Sequence, residues 1–364
     1  VAAQVADLMP AYSKLRRDAE KALAVGPFSV MDKPAAAPSG ANHDYYSLAP
    51  YWWPNPATRD GLPYVRRDGE VNPERDRYDA TARSKMENNV ITLALAYFFS
   101  GDERFAGHAC QLLRFWFLDP ATRMNPHLTY SQAVPGRPGG RDAGIIEGRM
   151  FSRLVDAIAL LTPSSHWTTA DQQGLTCWFQ NYLQWLLTSP QGQAEAAAPN
   201  NHGSWYDVQV AAIALFVNDE AVARRVLTQS APQRIANQIA ADGSQPNELM
   251  RTRSLSYSIM NLTALMDLAD LAGHYTYDLW QASTVAKAPL RHAVDYLVAH
   301  AVTQSWSQTQ ITATTPADLL PILLRAASAY PTQAYHQSLQ RLALLDLATE
   351  RSQLLYYTHA QHRK

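Results

Sequence analysis

The sequence predicts an all-α protein, an α/α toroid, and three features predict it. Apolar residues recur at helical spacing along most of the 364-residue chain, no segment joins strand-like alternation to the turn chemistry of a β-hairpin, and long polar loops interrupt a close succession of helices. Antiparallel helix pairs whose long loops gather at one end form a ring with a cleft. No linker-like stretch divides the chain, so a single domain over residues 1–364 is expected.

Leu8, Tyr12, Leu15 and Ala19 mark the first helix, and Ala22 and Leu23 extend its stripe. From about Pro27 to Asn72 the chain is irregular and rich in Pro, Gly and Asp; loops of this length in a domain are uncommon and usually functional. Val90, Leu93, Ala94, Tyr97 and Phe98 share one face of a helix over 86–99 that stops at Ser100-Gly101. A helix over 105–118 ends at Asp119-Pro120, and a second polar loop runs from Asn125 to Gly140. Helical patterns resume at 145–161, 169–187, 205–217, 220–229, 233–241, 253–272, 279–302, 317–330 and 333–347. Thr168-Thr169-Ala170-Asp171 reads as a capped start.

An apolar fraction of 47% and a charged fraction of 17% are those of a folded soluble protein. The net charge of −1 offers no clustered basic field, so no nucleic-acid partner is expected. An anionic substrate is still allowed, because a few arginines in one cleft suffice for it. No stretch approaches the ~18 apolar residues of a membrane span. Cys110 and Cys177 form no C-x-x-C pair, which supports neither a disulfide framework nor a thiolate metal site; a single bridge between them stays open. No metal and no cofactor are expected. The chain begins at Val1 rather than Met, which favours a removed leader and a periplasmic or secreted protein. The aromatic runs Tyr45-Tyr46 and Tyr51-Trp52-Trp53 offer flat surfaces for sugar rings, although core packing accounts for most aromatics equally well.

The chain has no His-Glu-x-x-His, no Gly-x-Ser-x-Gly, no phosphate loop and no dinucleotide fingerprint. Asn261-Leu262-Thr263 matches a glycosylation acceptor but falls within a helix. Two polar clusters stand out instead. Asn200-Asn201-His202-Gly203-Ser204-Trp205 precedes an apolar helix, so Asn201 and His202 lie near a helix N-terminus, where free N–H groups and the macrodipole favour an anion. A cap explains one asparagine there, not two followed by His and Trp. The second cluster runs from Asp242 to Ser258 and is polar on every side over Arg251-Thr252-Arg253-Ser254, unlike the apolar stripe after it. An exposed first turn with Glu248 and Arg251 paired at i,i+3 is the plain alternative.

Asn201-His202, then Glu248-Leu249-x-Arg251 and Tyr257, resembles the catalytic pattern of the alginate-lyase-like helical toroid lyases. Two further stretches are similar to that superfamily: Asp44-Tyr45-Tyr46-Ser47-Leu48 with Pro50-Tyr51-Trp52-Trp53-Pro54, and Asn125-Pro126 through Tyr130, Gln132 and Pro135-Gly136 to Gly140-Arg141 and Gly144-Ile145-Ile146. Polysaccharide lyase family 38 is the subgroup it most resembles, which implies an (α/α)7 barrel acting on glucuronan or alginate. The resemblance implies β-elimination of a polyuronate, with Tyr257, His202, Asn201 and Arg251 as catalytic residues.

Such a reaction removes the weakly acidic C5 proton beside a carboxylate, so the carboxylate must be neutralised as charge builds. Asn201 and His202 suit that task, with Arg251 as a fixed cation. In glucuronate and mannuronate the C5 proton and O4 lie on one side of the ring, so Tyr257 can act as base and then acid. Its ordinary pKa near ~10 demands a nearby cation. His202 as base with Tyr257 as acid is the rival assignment. On one continuous helix, residues six apart point about 120° away from each other, so Arg251 meets Tyr257 only if the helix starts after Arg251 or bends. Arg253 would share the face of Tyr257 and is the alternative. Tyr45, Tyr46, Trp52, Trp53, Asn88, Asn89, Tyr130, Gln132, Arg141 and Arg253 are the candidate substrate-binding residues. An α/α-toroid glycoside hydrolase would need two facing carboxylates, with Asp44, Asp142 and Glu147 as candidates. A non-catalytic glycan-binding protein would need only the aromatics.

Overall fold

The computed structural model describes residues 6–281, 289–302, 306–330, 332–343 and 347–356. Helices dominate it, and the chain divides into two compact units of interleaved segments.

One unit comprises Asp18–Ala198 and Val208–Ala223. Its helices include α2 (Asp79–Ser100), α3 (Glu103–Leu113), α4 (Phe151–Leu161), α5 (Thr169–Thr188) and α6 (Pro190–Ala196). Phe117, Phe151, Trp178, Phe179 and Tyr182 interlock edge-to-face or stacked, with Phe117 and Trp178 centroids 4.6 Å apart. A cluster of large rings of this kind supplies much of the apolar burial that holds helices together. The long loops carry four short strands: β1 (Tyr46–Leu48), β2 (Trp52–Trp53), β3 (Val65–Arg66) and β4 (Tyr130–Ala133). β1 and β4 pair in parallel, so the two loops foreseen as functional are stitched to each other. β2 and β3 form an antiparallel pair, a small ribbon where no hairpin was foreseen; two residues per strand are too few to write an alternation into the sequence.

The other unit comprises Val1–Arg17, Pro199–Asp207 and Arg224–Lys364. α11 (Ser254–Ala272) packs against α9 (Ala231–Gln238), α10 (Pro246–Leu249), α12 (Pro289–Val302) and α13 (Leu320–Ala329). Arg325 anchors this bundle through Asp267 at 2.8 Å and Asp270 at 2.6 Å. α1 (Met9–Ala22) and α7 (Asn201–Phe216) each contribute residues to both units.

Two helices start earlier than their apolar spacing indicates. α2 begins at Asp79 rather than Met86, because its first turns bury Asp79, Arg83 and Glu87 as partnered charges rather than apolar side chains. α7 begins at Asn201 rather than Trp205, and its first turn buries Asn201 and Ser204. Of the helix expected over 279–302, Pro289–Val302 is helical, and residues 282–288 lie outside the described residues. Cys110 is buried and Cys177 exposed, and both are free thiols. Asn261 is buried with its amide on Gln245 Oε1 at 2.8 Å, which leaves no room for a glycan.

Candidate active site

α7 starts where Asn200 accepts the His202 N–H on its side-chain oxygen at 3.2 Å, an ordinary N-cap bond. Asn201 has a different partner. Its backbone N–H and its Nδ2–H donate to the two carboxylate oxygens of Glu248, each at 2.7 Å. Glu248 comes from α10 and is 1% exposed, and Asn201 is 0% exposed. The helix N-terminus therefore does hold an anion, but it is a carboxylate of this chain. Glu248 thus takes the backbone N–H and one Nδ2–H of Asn201, the residue expected to meet a substrate carboxylate. The amide of Asn201 is buried, with Nδ2 on Glu248 and Oδ1 without a hydrogen-bond partner among the described residues. The two adjacent asparagines are thus explained separately, one as a cap and one as a tethered side chain.

Burial pushes the Glu248 carboxyl above its usual pKa, while the two Asn201 hydrogen bonds and then the charges of Arg251 and His202 pull it down. Glu248 thereby ties Asn201, His202 and Arg251 into one electrostatic neighbourhood. The plain alternative of an exposed turn with Glu248 paired to Arg251 does not hold, since Glu248 is buried and its carboxylate serves Asn201.

The helix that carries Tyr257 begins at Ser254, after a break over 250–253. The geometric condition placed on Arg251 is met by that break. Arg251 Nη2 donates to Tyr257 Oη at 3.0 Å, and its guanidinium carbon stands 4.0 Å from the centroid of the phenol ring. Arg253 gives its carbonyl to the Tyr257 N–H at 3.0 Å and its backbone to a bridge with Gln310. Contact with the phenol is made by Arg251. Both Tyr257 and His202 are half-buried, so neither is sealed in an apolar core.

In the other unit the paired loops bring several candidates together. Tyr46 faces Tyr130 across β1 and β4, and the register then slips by one residue before Leu48 meets Ala133. Gln132 sits in that bulge at φ 46°, with its N–H on Ser47 Oγ at 2.8 Å; a non-glycine residue held left-handed beside a bulge is a recurrent mark of functional loops. Gln132 is mostly buried, at 8% exposure. Arg141 lies over the Trp52 ring at 5.7 Å, and Arg137 lies over the same ring at 4.6 Å. Burial lowers the pKa of the Arg141 guanidinium, with Arg66 and Arg137 adding to the effect and Asp142 and Glu195 opposing it. Arg137 was not among the candidates because the glycines around it read as plain loop. Trp53 is braced by Glu70 O at 3.0 Å and by Arg67 over its ring at 5.3 Å.

Tyr45 is not a cleft residue. It is 0% exposed, and its hydroxyl donates to Glu147 at 2.7 Å and receives Arg83 at 3.3 Å. Tyr45 stands just before β1 and is fully buried, whereas Tyr46, the first residue of the strand, is half-buried, so the two adjacent tyrosines part ways. Asn88 and Asn89 direct their amides at Ser84 Oγ and Lys85 O of their own helix, and no hydrogen bond joins them to the loops among the described residues.

The hydrolase candidates are committed elsewhere. Asp44 accepts from Ser39 and Asn125 and pairs with His127 at 3.1 Å, and Glu147 accepts from Tyr45 and Ser47. Asp142 is exposed and caps Ala143. Among the described residues no group of three or more His, Cys, Asp or Glu is arranged to hold a metal ion, and no helix is long and apolar enough to cross a membrane.

The family model for alginate lyases matches residues 29–307. An alginate lyase from Bacteroides ovatus has a similar structure, with 38% sequence identity and a TM-score of 0.93, covering 98% of this chain and 95% of that one. Alginate lyase A1-III from Sphingomonas species A1 is similar in fold at 16% identity and a TM-score of 0.59, with 97% of each chain covered. A variant of A1-III complexed with tetrasaccharide aligns at 17% identity and a TM-score of 0.57, over 91% of this chain and 90% of that one. No curated protein matches the sequence. The helical order, the α/α toroid shared with these enzymes and the extent of the family match lead to one conclusion: the chain belongs to the alginate lyase family and is a polysaccharide lyase.

Proposed function

We propose that this lyase cleaves a β-1,4-linked polyuronate, glucuronan or mannuronate-rich alginate, by β-elimination, leaving a 4,5-unsaturated uronate at the new non-reducing end. The observation that carries this reading is the Arg251 guanidinium 3.0 Å from the Tyr257 hydroxyl. A phenol with its usual pKa near ~10 is a poor base, and a cation in direct contact favours the phenolate. Tyr257 then takes the C5 proton and returns it to the departing O4, since both lie on one side of glucuronate and mannuronate. For guluronate, where they lie on opposite sides, His202 takes the role of base.

The substrate carboxylate is met by the His202 imidazole, positioned by the Asn200 cap and the Asn201–Glu248 tether. Within the other unit, Trp52 and Trp53 offer flat faces on which sugar rings stack, and Arg137 and Arg141 beside Trp52 offer cations for uronate carboxylates. A polymeric substrate of this kind is met outside the cytoplasm, so the proposed setting is the periplasm or the medium.

Incubation with a panel of defined uronans tests the reading. The expected result is an ultraviolet-absorbing unsaturated product from glucuronan or polymannuronate, and less from polyguluronate. New reducing ends without that absorbance would make the protein a hydrolase, and no product from any uronan would remove the proposed substrate class.

A further inference from the structure

The break that lets Arg251 reach Tyr257 is imposed by a strap from another part of the same unit, residues 306–312. α11 has no side-chain cap of its own, since its N-cap residue is Arg253. Its first N–H groups are claimed from outside. Ser254 N–H goes to Thr309 O at 3.0 Å, while Leu255 and Ser256 N–H go to the side-chain oxygen of Gln310 at 3.0 and 3.4 Å. The Gln310 amide nitrogen is locked in turn by Ser256 Oγ and by Thr312 O and Oγ1, all at 3.0 Å. Trp306 Nε1 adds a bond to Ser254 Oγ at 2.9 Å.

These bonds replace the ones that would continue the helix. In an unbroken helix Leu255 N–H would bond Arg251 O, and Ser256 N–H would bond Thr252 O. Here both donors are held by Gln310, and Thr252 O accepts Ile311 N–H at 2.9 Å. Were the helix continuous, Arg251 and Tyr257 would point about 120° apart. We infer that Gln310 is a positioning residue for the elimination: by capping α11 in trans it stops the helix at Ser254 and turns the Arg251 guanidinium onto the Tyr257 phenol. The inference rests on Tyr257 as the proton-transfer group.

The test uses the full chain and measures kcat, KM and the pH dependence of polyuronate cleavage. Gln310→Ala should lower kcat about tenfold or more with KM within about twofold, because the lost contact matters in the proton transfer and not in binding. The low-pH limb of the rate profile should move upward, since a phenol deprived of its cation ionises at higher pH. Gln310→Glu keeps an acceptor for Leu255 and Ser256 at the positive end of a helix but loses the donor to Thr312 O, so it should restore part of kcat and stay clearly above the alanine variant. If the alanine variant does not fold, Gln310→Met keeps its bulk and carries the same expectation. An unshifted low-pH limb, or a glutamate variant as slow as the alanine one, overturns the inference. Tyr257→Phe measured alongside separates the two ideas. If it is inactive while Gln310→Ala is normal, only the positioning role fails; if it is active, the tyrosine reading fails and this inference with it.

Discussion

Replacing Glu248 separates what its hydrogen bonds do from what its charge does. Glu248→Ala strands two buried donors, the N–H and the Nδ2–H of Asn201, both now 2.7 Å from a carboxylate oxygen. An unsatisfied buried donor costs about 1–3 kcal/mol, so the pair costs roughly 2–6 kcal/mol before any collapse of the space left behind. At roughly 2–4 °C per kcal/mol for a unit of this size, that corresponds to a fall in Tm of about 4–24 °C. Glu248→Gln should behave differently. Its oxygen can keep the backbone N–H of Asn201, and its new amide would face Nδ2, a clash that vanishes if the Asn201 amide turns over. Turning it presents Oδ1, which is buried and has no partner among the described residues, to the glutamine nitrogen. The cost then reduces to exchanging charge-assisted bonds for neutral ones, about 1–2 kcal/mol. Thermal unfolding of both variants, followed by circular dichroism, reads the ladder directly. Kinetics at a temperature where both are folded then reads the charge, because the glutamine variant has lost the anion beside His202 and Arg251. An alanine variant within about 1 kcal/mol of wild type would refute the tether.

Tyr257→Phe should abolish turnover while leaving oligosaccharide affinity nearly unchanged, because the ring stays in its half-buried site and the proton-carrying hydroxyl on Arg251 is what goes; calorimetric titration with a uronate oligomer checks it. Arg137→Ala should raise KM for a long polyuronate several-fold with kcat preserved, and the effect should shrink at high salt, since an exposed guanidinium over Trp52 acts through charge. A pH dependence of stability should arise at Asp79, whose carboxyl burial raises from 3.8 to about 7 despite Lys33 at 3.3 Å. A carboxyl raised on folding binds its proton more tightly in the native state, so its contribution is fully present below pH 3.8 and is lost as pH rises through about 7. Wild type should therefore lose stability relative to Asp79→Asn across that window; a constant difference between their urea midpoints from pH 4 to 8 would contradict the assignment.

The sequence was most informative where burial is apolar. Val90, Leu93 and Ala94 fixed a helix face, Ser254 to Ala272 carried its own stripe, and the two long loops were visible from their Pro and Gly content. It was least informative where burial is polar. The first turns of α2 and α7 bury Asp79, Arg83, Glu87, Asn201 and Ser204, which no apolar periodicity can register, so both helices were read as starting late. Tyr45 and Tyr46 are identical in type and adjacent, yet one is buried against Glu147 while the other is half-buried in the strand pair; only tertiary packing distinguishes them.

By itself, then, the sequence determined an all-α chain of the alginate lyase type, because helical periodicity is a local property and the motif residues stand in a fixed order. Whether Arg251 or Arg253 meets the phenol was decided by tertiary structure. The choice depends on where α11 begins, and that is set by Gln310, more than fifty residues away. Likewise the anion at the start of α7 is Glu248, a partner that no local pattern names. Hydrogen-bonding capacity is written in each residue, but which donor meets which acceptor is settled only when distant segments pack.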